Sequence, residues 1–533
     1  MAGQPQAPKK CHNCRRQRLR CDRSYPQCNK CVLSGKECLG YGQLLRWTGA
    51  VASRGKLAGK TSSADVSLPS SQKLGGDEDE DSPEDEALEV IDATASKNET
   101  KASDMQLVVQ DRVSDALYDK PWVLADPVFQ DLSQTDRYYI SYFTTRLCRD
   151  LVSHDLPDNC NPFHKLVPMT RSHPLLQHII VASSAAHKSN LVRSAQPPFV
   201  QSDGKVIYQR GEASQQALQE ALVAKLKALR LMHEAVANVG SVPVDIIFAA
   251  ALFFIYVELL ESGKNGWRAH LEGAGRLMSI MQTIDPPLRE LRDSLLSDCF
   301  CYFVLSSAFT PEVSSLQTYF DSANIPTILE KTTASSYLCC PPEVLEILYA
   351  ASQLSNVVTE DAETAAKIAS EGFTLLHRAQ NFNVRAWAVE VLKNNYYLEK
   401  VLESRINVAT VHRLAASVYI MQAIEPIANS LSEDIVDAVY LEMFYYLERI
   451  PPEDPNFKAT SWPTFVAGAG AKDPQRRAWV IDRFQKLLVT TPWGFMNTCM
   501  ETLSIIWGLE ESEHQGKNWI QVLKDPKMNF LIV

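Results

Sequence analysis

The sequence predicts a mostly α chain in three parts: a small N-terminal cluster with two short helices, a disordered acidic linker, and a large all-α C-terminal domain. Three observations carry that expectation. Six of the thirteen cysteines fall between Cys11 and Cys38. Ten acids and no base fall between Asp77 and Asp92. From about residue 106, apolar residues recur at helical spacing almost to the end of the chain.

At 533 residues and 45% hydrophobic, the chain is long enough to bury at least one large core. Its longest apolar run, Ile246 to Val257, is twelve residues flanked by Asp245 and Glu258. A membrane span needs about twenty, so the run reads as a buried core helix and no membrane partner is expected. The opening MAGQPQAPKK has no apolar region and is not expected to be a signal peptide. An intracellular chain with reduced cysteines follows. Charge is divided: residues 1–60 carry thirteen Lys and Arg against two Asp and Glu, and the remainder carries 40 against 61. A basic head on an acidic body suits a chain that offers one end to a polyanion.

The cysteines Cys11, Cys14, Cys21, Cys28, Cys31 and Cys38 are spaced C-x2-C-x6-C-x6-C-x2-C-x6-C. CHNCRRQRLRC is matched by CNKCVLSGKEC, with cysteines at the same offsets. Each C-x2-C can open a short helix while chelating one metal, and the third cysteine returns to close the site. Two tetrahedral zincs need about eight thiolate positions, and the cysteines supply them if two bridge both metals. Repeat symmetry assigns the bridges to Cys11 and Cys28. One zinc would take Cys11, Cys14, Cys21 and Cys28, the other Cys11, Cys28, Cys31 and Cys38. The competing readings are weaker. A disulfide framework suits a secreted mini-protein, a single four-cysteine site leaves the repeat unexplained, and a redox C-x-x-C lacks a surrounding βαβ pattern.

The halves differ in charge. The first helix is expected to carry Arg15, Arg16, Arg18 and Arg20, and to meet phosphates and bases. The second, with Val32, Leu33, Ser34 and Gly35, is expected to pack against it, Leu19 being the first half's inward contact. With every ligand position matched, the segment resembles the fungal zinc binuclear cluster family of transcription factors. That family also shows basic residues between the second and third cysteines, the Cys21-Asp22 pair and a loop proline, here Pro26. The resemblance implies a zinc-dependent, sequence-specific DNA-binding transcription factor of RNA polymerase II genes, acting in the nucleus. Its first helix would enter the major groove over a CGG-type triplet, with half-site spacing set outside the cluster. By position, Arg18 would read a base, because a guanidinium bridges guanine O6 and N7. Arg15, Arg16, Arg20 and Lys30 would hold phosphates. Gln17 stands where the family usually has Lys or Arg.

The expected divisions are a disordered tail over 1–9, the cluster domain over 10–40, a basic arm and acidic linker over 41–105, and the helical domain over 106–533. Gly40, Gly42, Gly49, Gly55 and Gly59 interrupt the arm, and no heptad is sustained, so it forms no coiled coil. With Arg46, Arg54, Lys56 and Lys60 it reads either as a flexible basic linker or as an arm along DNA. In the second case Arg54-Gly55-Lys56 would enter a narrow minor groove. The phrase GYG…LRW…VASRGKLAGK is similar to the post-cluster signature of an ascomycete subgroup that includes acriflavine sensitivity control proteins. The acidic run reads as solvated spacer, as an activation segment, or as cover for the basic head.

In the body, GEASQQALQEALVAKLKALRLM places Ala213, Ala217, Leu218, Leu222, Leu226 and Leu229 along one expected inward face. NPFHKLVPM (161–169), ASSAAHKSN (182–190), GWRAHLEGA (266–274) and SWPTFVAGAGAKDPQRRAWV (461–480) resemble the helical regulatory domain that accompanies such clusters in fungi. There is no H-E-x-x-H, and GAGAKD at 468–473 lacks the ending of a phosphate loop. His173 and His178 are expected to be structural, and Cys299, Cys301, Cys339 and Cys340 to be buried small apolar residues. No enzymatic role is expected. One rival is a DNA-targeted small-molecule receptor or enzyme-like body, which an ordered polar pocket with paired titratable groups would favour. The other is a scaffold with a vestigial reader. The expected partners are double-stranded DNA and the transcription machinery or co-regulators, with any homodimer formed through the helical domain.

Overall fold

The computed structural model describes residues 9–24, 28–34, 38, 129, 131–153, 161–194, 199–200, 206–207, 211–238, 240–264, 266–281, 286–310, 325–358, 361–393, 401–510, 518–525 and 528–533. The acidic linker, Arg54 and Lys56 lie outside the described residues. The chain divides into two compact units, Met1–Lys97 and Asn98–Val533. The first holds two short helices, α1 (His12–Arg16) and α2 (Asn29–Leu33).

Among its described residues the second unit is mainly helical, with an antiparallel pair of two-residue strands, Phe199–Val200 and Val206–Ile207, and an isolated bridge between Val152 and Ser336. Its first half holds α3 (Gln134–Tyr142, running through a π turn into Cys148–Asp150), α4 (Pro174–Ser194), α5 (Glu212–Ala237), α6 (Val244–Glu261), α7 (Trp267–Met278) and α8 (Pro286–Ser307). Then follow α9 (Ile325–Thr332), α10 (Pro342–Leu354), α11 (Ala362–Asn381), α12 (Val384–Leu392) and α13 (Leu402–Ala423). The last are α14 (Glu425–Ala428), α15 (Glu433–Glu448), α16 (Ser461–Ala469), α17 (Pro474–Thr490), α18 (Phe495–Glu510) and α19 (Trp519–Leu523).

Two helices serve as axes. In α6 every residue from Ile246 to Leu260 is buried, as expected of a segment apolar on all sides. Its charged ends are tied down: Asp245 accepts two bonds from Arg292, at 2.5 and 2.6 Å, and Glu258 pairs with Lys225 at 3.0 Å. No described helix is long and apolar enough to cross a membrane. Around α6 lie α4, α7 and α18. The second axis, α13, is ringed by α10, α11, α12, α15 and α16. Two of its buried polar residues reach partners outside the helix. Arg405 donates to the carbonyls of Thr333 and Ala334, both at 3.0 Å. His412 lies 2.9 Å from the Ala459 carbonyl and stacks on Trp462, and burial lowers its pKa to about 4, so the ring stays neutral. The halves share one hydrophobic core. The final strap returns to the first axis, with Leu531 N–H donating to Gly263 O at 2.8 Å, and the turn before α18 also reaches it, Gly494 N–H donating to Leu260 O at 3.1 Å.

The inward face of α5 differs from the expected one. Ser214, Ala217, Ala221, Ala224, Ala228 and Ala235 are buried, while Ala213, Leu222, Leu226 and Leu229 are exposed. Hydrophobicity pointed to the leucines, but α5 lies closely along α4, and small side chains are what permit that approach. Close approach also explains GAGAKD. A Cβ on Gly468 would come within 2.7 Å of Val480, and one on Gly470 within 2.1 Å of the Tyr440 ring. Cys299, Cys301, Cys339 and Cys340 are buried, and burial lowers the pKa of both His173 and His178.

The alanine stripe has a direct test. Ala224→Leu should cost about 1–3 kcal/mol by overpacking the α4 contact, whereas exposed Ala213→Leu should stay within about 0.5 kcal/mol. Urea denaturation of both variants checks this, and equal costs would contradict the assigned inward face.

Candidate metal centre and nucleic-acid interface

In the head, each C-x2-C does two jobs. Cys11 sits in extended conformation as the N-cap of α1, its sulfur accepting from Cys14 N–H at 3.4 Å. Cys28 does the same for α2 with Cys31 N–H, also at 3.4 Å. The third cysteine of each half closes back on the first: Cys11 N–H donates to Cys21 Sγ and Cys28 N–H to Cys38 Sγ, both at 3.5 Å. The halves cross over at the centre. Cys11 Sγ lies 3.8 Å from Cys31 Sγ, and Cys28 Sγ lies 3.7 Å from Cys14 Sγ. The sequence repeat is therefore a local two-fold relation between the sulfurs.

These sulfurs form two overlapping sets, Cys11, Cys14, Cys21, Cys28 and Cys11, Cys28, Cys31, Cys38, each with its atoms within 4.8 Å of one another. Four thiolates around a tetrahedral zinc at about 2.3 Å stand about 3.8 Å apart, so the central spacings fit such a centre. Burial raises the Cys11, Cys28 and Cys31 thiols above their ordinary value, so a cation is needed to hold them as thiolates. Asp22 joins the halves. It accepts from Ser24, from Asn29 N–H at 3.1 Å and from Lys30 N–H at 3.3 Å, capping α2 from the first half of the repeat. The Ser24 hydroxyl, followed by those amides, holds its carboxyl below the usual carboxylate range.

The basic residues depart from the expected placement. α1 ends at Arg16, so Arg18 and Arg20 lie beyond it, whereas Arg15 remains on the helix. Arg18 takes a left-handed backbone (φ 55°) while Leu19 N–H returns to Cys14 O at 2.8 Å. Only six residues separate Cys14 from Cys21, and a left-handed turn is what reverses the chain in that span. Arg15, Arg18, Arg20 and Lys30 are all exposed. Two packing expectations fail. Leu19 is 40% exposed, and Val32 and Leu33 are 54% and 87% exposed, so the second helix does not use them to pack on the first. The sulfurs occupy the space where an apolar contact would lie.

The body contains a polar cluster that the sequence reading missed. Tyr142 Oη and Asp150 Oδ2 each lie 2.8 Å from a ring nitrogen of His187, and Trp493 Nε1 donates to the same Asp150 oxygen at 3.3 Å. Nearby, Asp298 accepts from Tyr256 Oη at 2.7 Å, and burial raises its pKa to about 7. Asp150, Asp298, Tyr302, Tyr337, Lys458 and Trp493 line a cavity of about 30 Å³. That has room for about two waters. No local motif announces it, because its residues come from five distant stretches. His187, in the ASSAAHKSN stretch, was the one available signal.

Residues 9–48 match the fungal Zn(2)-Cys(6) binuclear cluster domain. Residues 137–533 match the fungal specific transcription factor domain. Over 595 aligned positions the chain is 31% identical to the acriflavine sensitivity control protein acr-2 of Neurospora crassa, covering 98% of this chain and 97% of that one. No solved structure matches. The cluster domain binds two zinc ions, and the two sulfur sets are where the cysteines gather. The chain belongs to the fungal zinc binuclear cluster transcription factors, DNA-binding regulators in which such a cluster accompanies a helical fungal-specific domain.

Proposed function

We propose that this regulator reads a CGG-like triplet in the major groove from the turn that follows α1, with Cys11 and Cys28 each bridging both zincs. The observation that carries the reading is the pair of sulfur sets sharing those two cysteines, with the exposed arginine turn strung between the shared sulfurs. Arg18 is the base reader: the left-handed backbone sets it apart from its neighbours at the reversal of the chain. Arg15, Arg16, Arg20 and Lys30 hold phosphates, and Arg54 and Lys56 extend the contact along flanking A·T-rich minor groove. The divisions 1–9, 10–40, 41–105 and 106–533 act as tail, reader, arm with acidic linker, and regulatory domain. The regulatory domain is not catalytic; it acts in the nucleus through the transcription machinery or co-regulators, and any homodimer forms through it.

Metal content tests the sharing. Cys11→Ser or Cys28→Ser should lose both zincs, and Cys38→Ser should lose one, as read by metal analysis of the purified chain. One zinc per wild-type chain, with Cys38→Ser harmless, would refute the bridging pair.

Arg18→Ala should cost about 1–3 kcal/mol on the preferred site and relax preference at one guanine. Arg16→Ala should weaken binding to every sequence alike. Equal losses on preferred and random DNA for Arg18→Ala would make it a phosphate contact.

The glycine-broken arm leaves residues 1–105 without a coiled coil, so this segment binds one triplet as a monomer. Deleting 46–60 should lower affinity and flatten the dependence on salt, because the arm's cations release counterions. A 2:1 complex on two triplets of fixed spacing, or an unchanged footprint without the arm, would count against it.

A further inference from the structure

We infer that Gln17 is a second base reader, taking an adenine in the major groove beside the guanine that Arg18 reads. The inference rests on the reading of the turn after α1 as the base-reading element, and names the next base that this element selects.

The turn presents Gln17 and Arg18 at its tip on a fixed backbone. Arg18 N–H donates to Arg15 O at 3.3 Å and Leu19 N–H to Cys14 O at 2.8 Å, the paired bonds of a Schellman motif. Gln17 is the C-cap of α1, and its own N–H donates to Asn13 O at 3.0 Å. Cys14, whose carbonyl closes the motif, belongs to the first sulfur set, so the tip is built directly on the metal centre. Glycine is the usual residue at the left-handed position of such a motif. The second half of the repeat has Gly35 at the offset where the first half has Arg18. An arginine held there costs backbone strain, which points to a tip kept for its side chains and not for the turn alone.

Gln17 is the odd residue of that tip. Between Cys14 and Cys21 the sequence reads RRQRLR, four arginines with one glutamine and one leucine. Gln17 is exposed, and its side-chain amide bonds to no other described residue. A phosphate contact draws on positive charge and counterion release, and a neutral amide supplies neither. It supplies a donor and an acceptor side by side. In the major groove only adenine sets an acceptor, N7, next to a donor, N6. Guanine shows two acceptors, cytosine a lone donor, and thymine an acceptor beside a methyl group. Consecutive Cα atoms stand about 3.8 Å apart and stacked base pairs about 3.4 Å, so Gln17 and Arg18 can address consecutive pairs.

Binding of the full zinc-loaded chain to duplexes of randomised sequence tests it. Wild type should select adenine at a pair next to the guanine whose preference Arg18→Ala relaxes. Gln17→Ala should lose the preference at that pair alone, and should bind the selected duplex at least about fivefold more weakly while its affinity for random DNA is unchanged. Gln17→Arg should turn the selected adenine into guanine. Replacing the adenine by 7-deazaadenine, which lacks the N7 acceptor, should weaken wild type and leave Gln17→Ala unaffected. Metal analysis checks that each variant keeps its zinc; if Gln17→Ala does not, Gln17→Arg and the 7-deazaadenine duplex carry the test. An unchanged base preference in Gln17→Ala, or an equal 7-deazaadenine loss in wild type and Gln17→Ala, overturns the inference. If Arg18→Ala still relaxes one guanine in that case, the base-reading turn stands and only the part of Gln17 in it falls. If neither variant alters preference at any pair, the reading of the turn as base reader falls with it.

Discussion

Among its described residues the head has no aliphatic or aromatic core to fold around. Those buried are Cys11, Cys14, Cys28, Cys31 and Cys38, while Leu19, Val32 and Leu33 face outward. A segment this short falls below the size at which apolar burial alone holds a chain, so metal–sulfur bonds take the place of packing. The rest of the head follows from that constraint. The C-x2-C pairs must start helices, because the first sulfur of each caps the helix that carries the second. The chain must reverse quickly to return the third sulfur, which places Arg18 in a left-handed turn. Because the sulfurs fill the centre, every basic side chain described there is left outside, where a polyanion can reach it.

The body solves the opposite problem, since it has apolar surface in excess. Two helices buried on nearly all sides, α6 and α13, collect the others around them. Several of the polar groups that fall inside are held by partners of matched geometry. Arg483 shows the pattern: it donates to Thr464, Thr460 and the Ile450 carbonyl, and burial lowers it to about 9. The Tyr142–His187–Asp150–Trp493 chain ties α3 and α4 to the strap leading into α18. Such networks specify one arrangement of helices, because any slip leaves a buried polar group unpaired.

Much of this was legible beforehand. The cysteine spacing, the internal repeat and the basic bias of one half pointed to the metal centre, and the length and isolation of Ile246–Val257 pointed to a buried core helix. The errors share a cause. Leu19, Val32, Leu33 and the α5 leucines were read inward because they are the most hydrophobic residues in their stretches. Hydropathy ranks side chains by cost of exposure and carries no information about how closely the neighbour approaches.

The sequence by itself determined which sulfurs gather into two sets that could each hold a metal, since residue type and spacing are closed locally in a short chain. It also determined that most of the chain is helical, because the 3.6-residue period is a local property. The tertiary structure alone decided which side of α5 faces inward, where α1 ends relative to Arg18, and that Asp150, Asp298 and Tyr337 share a cavity. Each depends on contacts between positions far apart in the chain, or on a backbone reversal imposed by such a contact, and neither leaves a periodic trace in the sequence.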